Sequence, residues 1–319
     1  EVVPDSGCGS WLFEPQSTNL IEYSSDFSQS YWAKQAGITA TYNTTETLSP
    51  DGTYNATKFV GNGTTGVLKT SISVSGVVSR SVYLKSVTGT TTATFKEPNT
   101  NVPSPITLTI TNEWQRFEMI GDNGSSFQGL QIDDITSDGI YMWGAQLEEQ
   151  SYATSYIPTE GTQKTRNQDV CNNGGSLASI NSTEGVLYFE TAALFSGSNA
   201  QISLSDGTND NGVKLRFDLT SSRFTGFIKG NGGSTASKTV ISSPQTDNNK
   251  FALVWNATNL RIWINGVEEG TIATNDLPIG LDTINFSSNT GVLPFYGKTK
   301  ALAVFPYLSD EELTELTTI

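Results

Sequence analysis

Apolar residues recur at every second position over short stretches of this chain, and almost nowhere at helical spacing. Val67-Leu68-Lys69-Thr70-Ser71-Ile72-Ser73-Val74, Ser79-Arg80-Ser81-Val82-Tyr83-Leu84-Lys85 and Ile106-Thr107-Leu108-Thr109-Ile110 all alternate. So do Trp114-Gln115-Arg116-Phe117-Glu118-Met119 and the stretch from Ile140 to Glu148. This period predicts half-buried antiparallel strands, and many of them at short spacing predict a sandwich or jelly roll. A polar run from Pro158 to Asp169, extended by Asn172-Asn173-Gly174-Gly175, breaks the pattern. A second strand series follows at Gly185–Glu190, Gln201–Ser205 and Val213–Asp218. It includes a hairpin in which Asn265-Gly266 joins Arg261–Ile264 to Val267–Thr271; that dipeptide favours a type I′ turn. Only Leu308–Leu316 reads as a helix, with Ser309 and Glu312 placed as a capping box and Asp310 and Glu311 suiting the positive N-terminal end.

The fold class expected is therefore all-β, two β-sandwich domains with one short C-terminal helix. The boundaries expected are a lead-in at 1–17, a first domain at 18–160, a linker at 161–175 and a second domain at 176–319. A length of 319 residues suits two domains. The opening Glu1-Val2-Val3-Pro4 is not a signal peptide and is expected to continue a longer polypeptide.

Composition narrows the chemistry. Acidic residues number 32 and basic ones 18, a net charge of −14, so a phosphate-tracking nucleic-acid binder is excluded. Histidine is absent, which removes Ser-His-Asp and Cys-His nucleophiles and the commonest metal ligand. No apolar stretch approaches the ~20 residues of a membrane-spanning helix. Aromatics at 10% argue for a folded core rather than disorder. Cys8 and Cys171 lie in similar Gly/Asn/Ser turns flanking the first block; a disulfide closing that block is one reading and two separate thiols the other.

The first block, from Asn19-Leu20-Ile21 through Asp26-Phe27 to Tyr31-Trp32, resembles the opening of jelly-roll carbohydrate-binding modules. It also resembles phage tail-fibre and virion proteins. There the opening is followed by a Pro-Asp-Gly turn (here Pro50-Asp51-Gly52), by Gly144-Ala145-Gln146-Leu147-Glu148, by Thr154-Ser155-Tyr156-Ile157-Pro158-Thr159 and by an Arg…Asp-Val-Cys tail (here Arg166 to Cys171). The second block resembles concanavalin A-like, laminin-G-like sandwiches in Phe251–Trp255, Leu260–Gly266 and Ala303–Leu313. The resemblances imply a glycan-binding receptor or decoration module of a phage fibre or similar adhesin, virion-borne or extracellular. Its expected partners are surface polysaccharide, other virion proteins and copies of itself in a homotrimer. The carbohydrate-module likeness implies a structural calcium held by Asp26 and Glu148.

Sugar binding needs an aromatic face for the pyranose C–H groups and planar polar side chains for its hydroxyls. The residues expected to serve are Trp32, Tyr83, Arg116 and Gln146 in the first block, and Arg261 and Trp263 in the second, where the two share a strand face with Asn265. Four have a structural alternative: Trp32 and Trp263 as core, Arg116 and Gln146 as solvated strand positions. Trp143, among Met142, Ala145 and Leu147, is read as core, while Tyr31, Trp114 and Tyr141 are further aromatic candidates. The competing functions are a polysaccharide-degrading enzyme and a purely structural virion domain. Glycosidase chemistry needs facing carboxylates, and the neighbours Glu148-Glu149 and Asp133-Asp134 point to opposite strand faces.

Overall fold

The computed structural model describes residues 2–3, 9–171, 174–176, 179–274 and 276–319. The chain forms two compact units, Gln16–Asn167 and Glu1–Pro15 with Gln168–Ile319. Both are all-β, and every strand pair is antiparallel.

In the unit spanning Gln16–Asn167, one sheet runs β10 (Ile106–Ile110), β9 (Thr91–Lys96), β12 (Phe127–Asp133), β7 (Val67–Ser73) and β4 (Ala33–Lys34). The other runs β11 (Gln115–Gly121), β8 (Val78–Ser86), β13 (Ile140–Glu148), β6 (Thr57–Val60) and β5 (Thr39–Thr41). A short ribbon pairs β3 (Ser17–Asn19) with β14 (Lys164–Arg166). Alternate residues of both sheets, among them Phe95 and Ile132 from one and Val82 and Met142 from the other, share a single buried cluster. This is how two half-apolar sheets hide their inner faces.

The other unit carries a seven-stranded sheet: β1 (Val2–Val3), β2 (Ser10–Phe13), β24 (Gly297–Phe305), β15 (Gly185–Ala193), β20 (Asn249–Trp255), β21 (Asn259–Ile264) and β22 (Val267–Ala273). A five-stranded sheet of β19 (Ala236–Ile241), β18 (Arg223–Lys229), β17 (Gly212–Phe217), β16 (Gln201–Ser205) and β23 (Thr283–Asn285) shares its core. Asn265 and Gly266 both adopt positive φ, 51° and 84°, as the type I′ hairpin requires. Helix α1 (Asp310–Thr317) has the expected capping box in full and buries Leu313 against Val186, Ala252, Val254 and Trp263. Among the described residues no helix is long and apolar enough to cross a membrane.

The domain boundaries differ from those expected. Residues 1–17 are not a free lead-in: β2 pairs with β24 through Trp11↔Thr299 and Phe13↔Gly297, and Phe13 stacks on Phe286 at 4.6 Å. Leu12 is buried and Phe13 half-buried on joining the sheet, which removes apolar surface from water, while Trp11 stays half exposed. Nor is 161–175 a structureless linker, since Lys164–Arg166 pairs with Ser17–Asn19. In sequence, the first sandwich is thus an insertion between two strands of the second.

Candidate functional site

The outer face of the β11–β8–β13 sheet carries the densest arrangement of rings and planar polar groups in the first unit. Strand register fixes its rows: Trp143 lies opposite Tyr83, and Tyr83 opposite Arg116. The next row holds Gln146, Ser81 and Glu118, and on the other side Tyr141 pairs with Lys85 and Lys58. Side chains in one row, and on one diagonal, are within contact range. Tyr83 meets Trp143 edge-on at 5.4 Å, and Tyr156 packs on Trp143 at 4.4 Å. The Arg116 guanidinium rests over the Tyr83 ring at 5.6 Å. Tyr83, Tyr156, Trp114, Lys85 and Arg116 are all half-buried, so this assembly keeps an open side.

Three motifs noticed in the sequence build that face. Gly144 sits at a register shift between Trp143 and Gln146 with φ +64°, and a Cβ there would press on Tyr83 at 3.1 Å and Tyr156 at 3.3 Å. Only glycine meets both demands. Gln146 is fully buried; its oxygen accepts from the Ile157 N–H at 2.7 Å and its amide donates to the carbonyls of Thr154 and Ser155. Glu148, also fully buried, accepts from the Thr154 N–H at 3.0 Å, the Thr154 hydroxyl and the Ser17 hydroxyl at 2.6 Å. Asn19 closes the set, donating to the Ile157 carbonyl at 2.9 Å and accepting from the Leu147 N–H. These bonds hold residues 154–157 against the sheet and so deliver the Tyr156 ring to Trp143.

The face has internal electrostatic order. Glu46 accepts from Lys58 at 2.8 Å and from the Tyr141 hydroxyl at 2.8 Å. Arg116 Nη2 donates to Ser81 Oγ at 2.9 Å and to the Thr154 carbonyl. Arg116 Nε, Trp143 Nε1 and Ser79 Oγ are sealed from solvent with no hydrogen-bond partner. A buried donor left unpaired costs ~1–3 kcal/mol, and native structures keep few.

Burial, and for Tyr141 also its bond to Glu46 and for Tyr188 the nearby Glu190, pushes the phenols of Tyr31, Tyr141 and Tyr188 up to about 12 from 10.0. A group raised on folding stabilises fully below its unfolded pKa and loses that contribution as pH climbs through the folded one. Stability is therefore expected to fall between about pH 10 and 12, and part of the tyrosinate absorbance to rise in a late phase near pH 12. Tyr141→Phe should shrink the late phase; an unchanged late phase would show that Tyr141 titrates normally.

No protein-family model and no curated protein matches the sequence. Among solved structures, the chain is similar to the Ruminococcus gnavus IT-sialidase CBM40 at 18% identity, covering 46% of this chain and 94% of that one, with a TM-score of 0.37. It is also similar to the LG4-5 domains of the mouse laminin α1 chain, at 8% identity over 85% of this chain and 89% of that one, TM-score 0.32. A third is the CBM22 tandem of Paenibacillus barcinonensis Xyn10C, at 11% identity over 93% and 100%, TM-score 0.32.

The residues expected from sequence divide. Tyr83 and Arg116 come together on the open face. Gln146 is on the same face but wholly enclosed, so it positions a segment instead of lining a groove. Trp32 is not a platform: it is 1% exposed, packs on Phe27 at 4.9 Å and donates its indole N–H to the Tyr23 carbonyl at 2.8 Å. Trp263 is 6% exposed beneath α1, which covers the polar strand face that suggested exposure. Arg261 lies over the Trp263 ring at 5.4 Å and is held by Glu268 and Asp310; the Glu268 bond first, then Asp310, raises its pKa. These two residues fasten α1 and offer no open binding face.

Asp26 borders a cleft of about 380 Å³ with Tyr23, Asn43, Asn55 and Glu160. Burial alone would raise its pKa, but bonds from Ser28 and Gln29 outweigh that and hold it down. Glu148 is committed to Ser17 and Thr154, and no three His, Cys, Asp or Glu side chains cluster among the described residues. Cys8 lies outside the described residues; Cys171 is half-buried against the second core, where burial pushes its thiol up.

Sequence reasoning passed over Tyr156 and Lys85; its reading of Trp143 as core holds, the ring being 4% exposed. Lys85 was visible in the alternation, two positions from Tyr83. Tyr156 lies outside any strand, and only the tertiary clamp of Gln146, Glu148 and Asn19 brings it in.

Proposed function

We propose that this chain is a non-catalytic glycan-binding module that holds saccharide on the outer face of the β11–β8–β13 sheet. One observation carries the reading: the half-buried rings of Tyr83 and Tyr156, backed by the buried Trp143, converge with the Arg116 guanidinium on a half-open sheet face. An aromatic floor takes the C–H face of a sugar ring, and fixed N–H donors take its hydroxyls. The likeness of the Asn19–Trp32 opening and the Gly144–Glu148 motif to phage tail-fibre proteins supports a receptor-binding or decorating role on a virion or similar adhesin. Affinity electrophoresis through gels cast with bacterial surface polysaccharides, neutral and acidic, tests the binding claim. Retardation by at least one polymer is expected; uniform migration through every gel would remove the reading.

A further inference from the structure

We infer that the cleft bordered by Asp26 is a second saccharide site of the first unit, one that takes a neutral sugar by its hydroxyls. This inference rests on the glycan-binding reading just given and adds to the sheet face a site with a stated preference. The cleft encloses about 380 Å³, and its lining includes Tyr23, Asp26, Asn43, Asn55, Thr159 and Glu160. That volume lies at the lower end of the ~300–1,000 Å³ of small-molecule sites and suits a single sugar unit.

The lining is fixed by the fold. The Thr159 hydroxyl donates to the Ile21 carbonyl at 2.7 Å, and the Gly161 N–H donates to the Glu22 carbonyl at 2.7 Å. Between these bonds Tyr23 and Glu160 form an antiparallel bridge. The segments of Asn43 and Asn55 are likewise joined, since the Thr44 N–H donates to the Ala56 carbonyl at 3.0 Å. Asn55 itself is held by Ser49 and Asp51. A site built before its ligand arrives spends little affinity on ordering itself.

The groups left unused are mostly hydrogen-bond acceptors. The side chains of Asn43 and Glu160 are exposed, and neither they nor the Tyr23 hydroxyl have a hydrogen-bond or ion-pair partner among the described residues. An ionised carboxylate only accepts, an amide does both, and a sugar hydroxyl can donate to either. A hydroxyl donating to a carboxylate makes a charge-assisted bond, roughly twice as strong as a neutral one. Tyr23, half-buried, adds an aromatic ring to the lining. Asp26 already accepts from the Ser28 N–H at 3.0 Å and the Gln29 amide at 2.7 Å. It therefore contributes charge more than a free acceptor. No Lys or Arg is among the described residues lining the cleft. A ligand carboxylate would thus meet Asp26 and Glu160 with nothing to offset them, and like charges in one site disfavour each other.

Saturation-transfer NMR and calorimetry on the full chain test this with neutral hexoses, deoxyhexoses and N-acetylhexosamines, each hexose beside its uronate. At least one neutral sugar is expected to bind, and any hexose that binds should do so at least tenfold tighter than its uronate. Asn43→Ala should lose about tenfold toward the sugar that binds. Glu160→Gln should lose a similar factor and most of the discrimination against the uronate. Melting curves matching the parent would show that these variants are folded. Equal affinity for a hexose and its uronate would overturn the neutral assignment. Parental affinity in both variants, or binding of polysaccharide without binding of any of these sugars, would overturn the cleft as a site. Each of these results leaves glycan binding on the sheet face standing. Binding to no sugar and to no polysaccharide would overturn both readings.

Discussion

Tyr83→Ala is expected to weaken saccharide binding about thirtyfold, a loss of ~2 kcal/mol typical of a central aromatic anchor. Tyr83 is the half-exposed centre of the row, with Trp143 on one side and Arg116 on the other. Its removal takes away the sugar platform. It also takes away the ring on which the Arg116 guanidinium rests, a contact worth ~0.5–1 kcal/mol at exposed sites. Tyr83→Phe keeps the ring and should retain most of the affinity. Calorimetry with whichever polysaccharide retards the parent chain reads the effect. Thermal melting separates it from unfolding, because Trp143 and the core beneath remain. Parental affinity in a well-folded Tyr83→Ala would move the site off this face.

The strand alternation was sufficient to locate β7, β8, β10, β11 and β13 and the Asn265-Gly266 hairpin, because one buried face imposes period two directly on the residues. It failed where burial comes from groups outside the strand's own alternation. Trp263 sits with Arg261 on the outer strand face, and nothing within β21 announces that α1 will cover it. Trp32 follows a polar run, yet its ring turns inward onto Phe27 and its N–H finds the Tyr23 carbonyl. The insertion of one sandwich into the other was hidden for a similar reason. Trp11-Leu12-Phe13 is too short to declare a strand, and its partner β24 lies at the other end of the chain. At the site, Tyr83 and Arg116 were legible as strand residues of suitable chemistry. Their meeting depends on the β8–β11 register, and the arrival of Tyr156 depends on two buried clamps: Gln146, whose polar character had suggested a groove, and Glu148, which the carbohydrate-module resemblance had assigned to a calcium.

Arg80→Met is expected to destabilise the first unit by about 3–5 kcal/mol. Arg80 shares the inward face of β8 with Val82 and Leu84 and is fully buried. Its Nε donates to the Gly129 carbonyl at 2.7 Å, Nη2 to the Gln128 side-chain oxygen and Nη1 to the Gly121 carbonyl at 3.4 Å. It thus bridges β8 to β12 across the sandwich. Burial lowers its pKa to about 10, against the raising fields of Glu97 and Asp122, so it remains charged at neutral pH. Methionine fills much of the volume but strands Gln128 and two carbonyls without a donor. For a unit of this size the melting temperature should drop by ~10 °C, at 2–4 °C per kcal/mol. Because the loss is mostly that of orphaned acceptors, Arg80→Met combined with Gln128→Leu should recover part of it, a coupling that a double-mutant cycle in urea measures directly. Strictly additive losses would show that Arg80 and Gln128 act independently, and a neutral Arg80→Met would show that the guanidinium contributes no more to the sandwich than its volume.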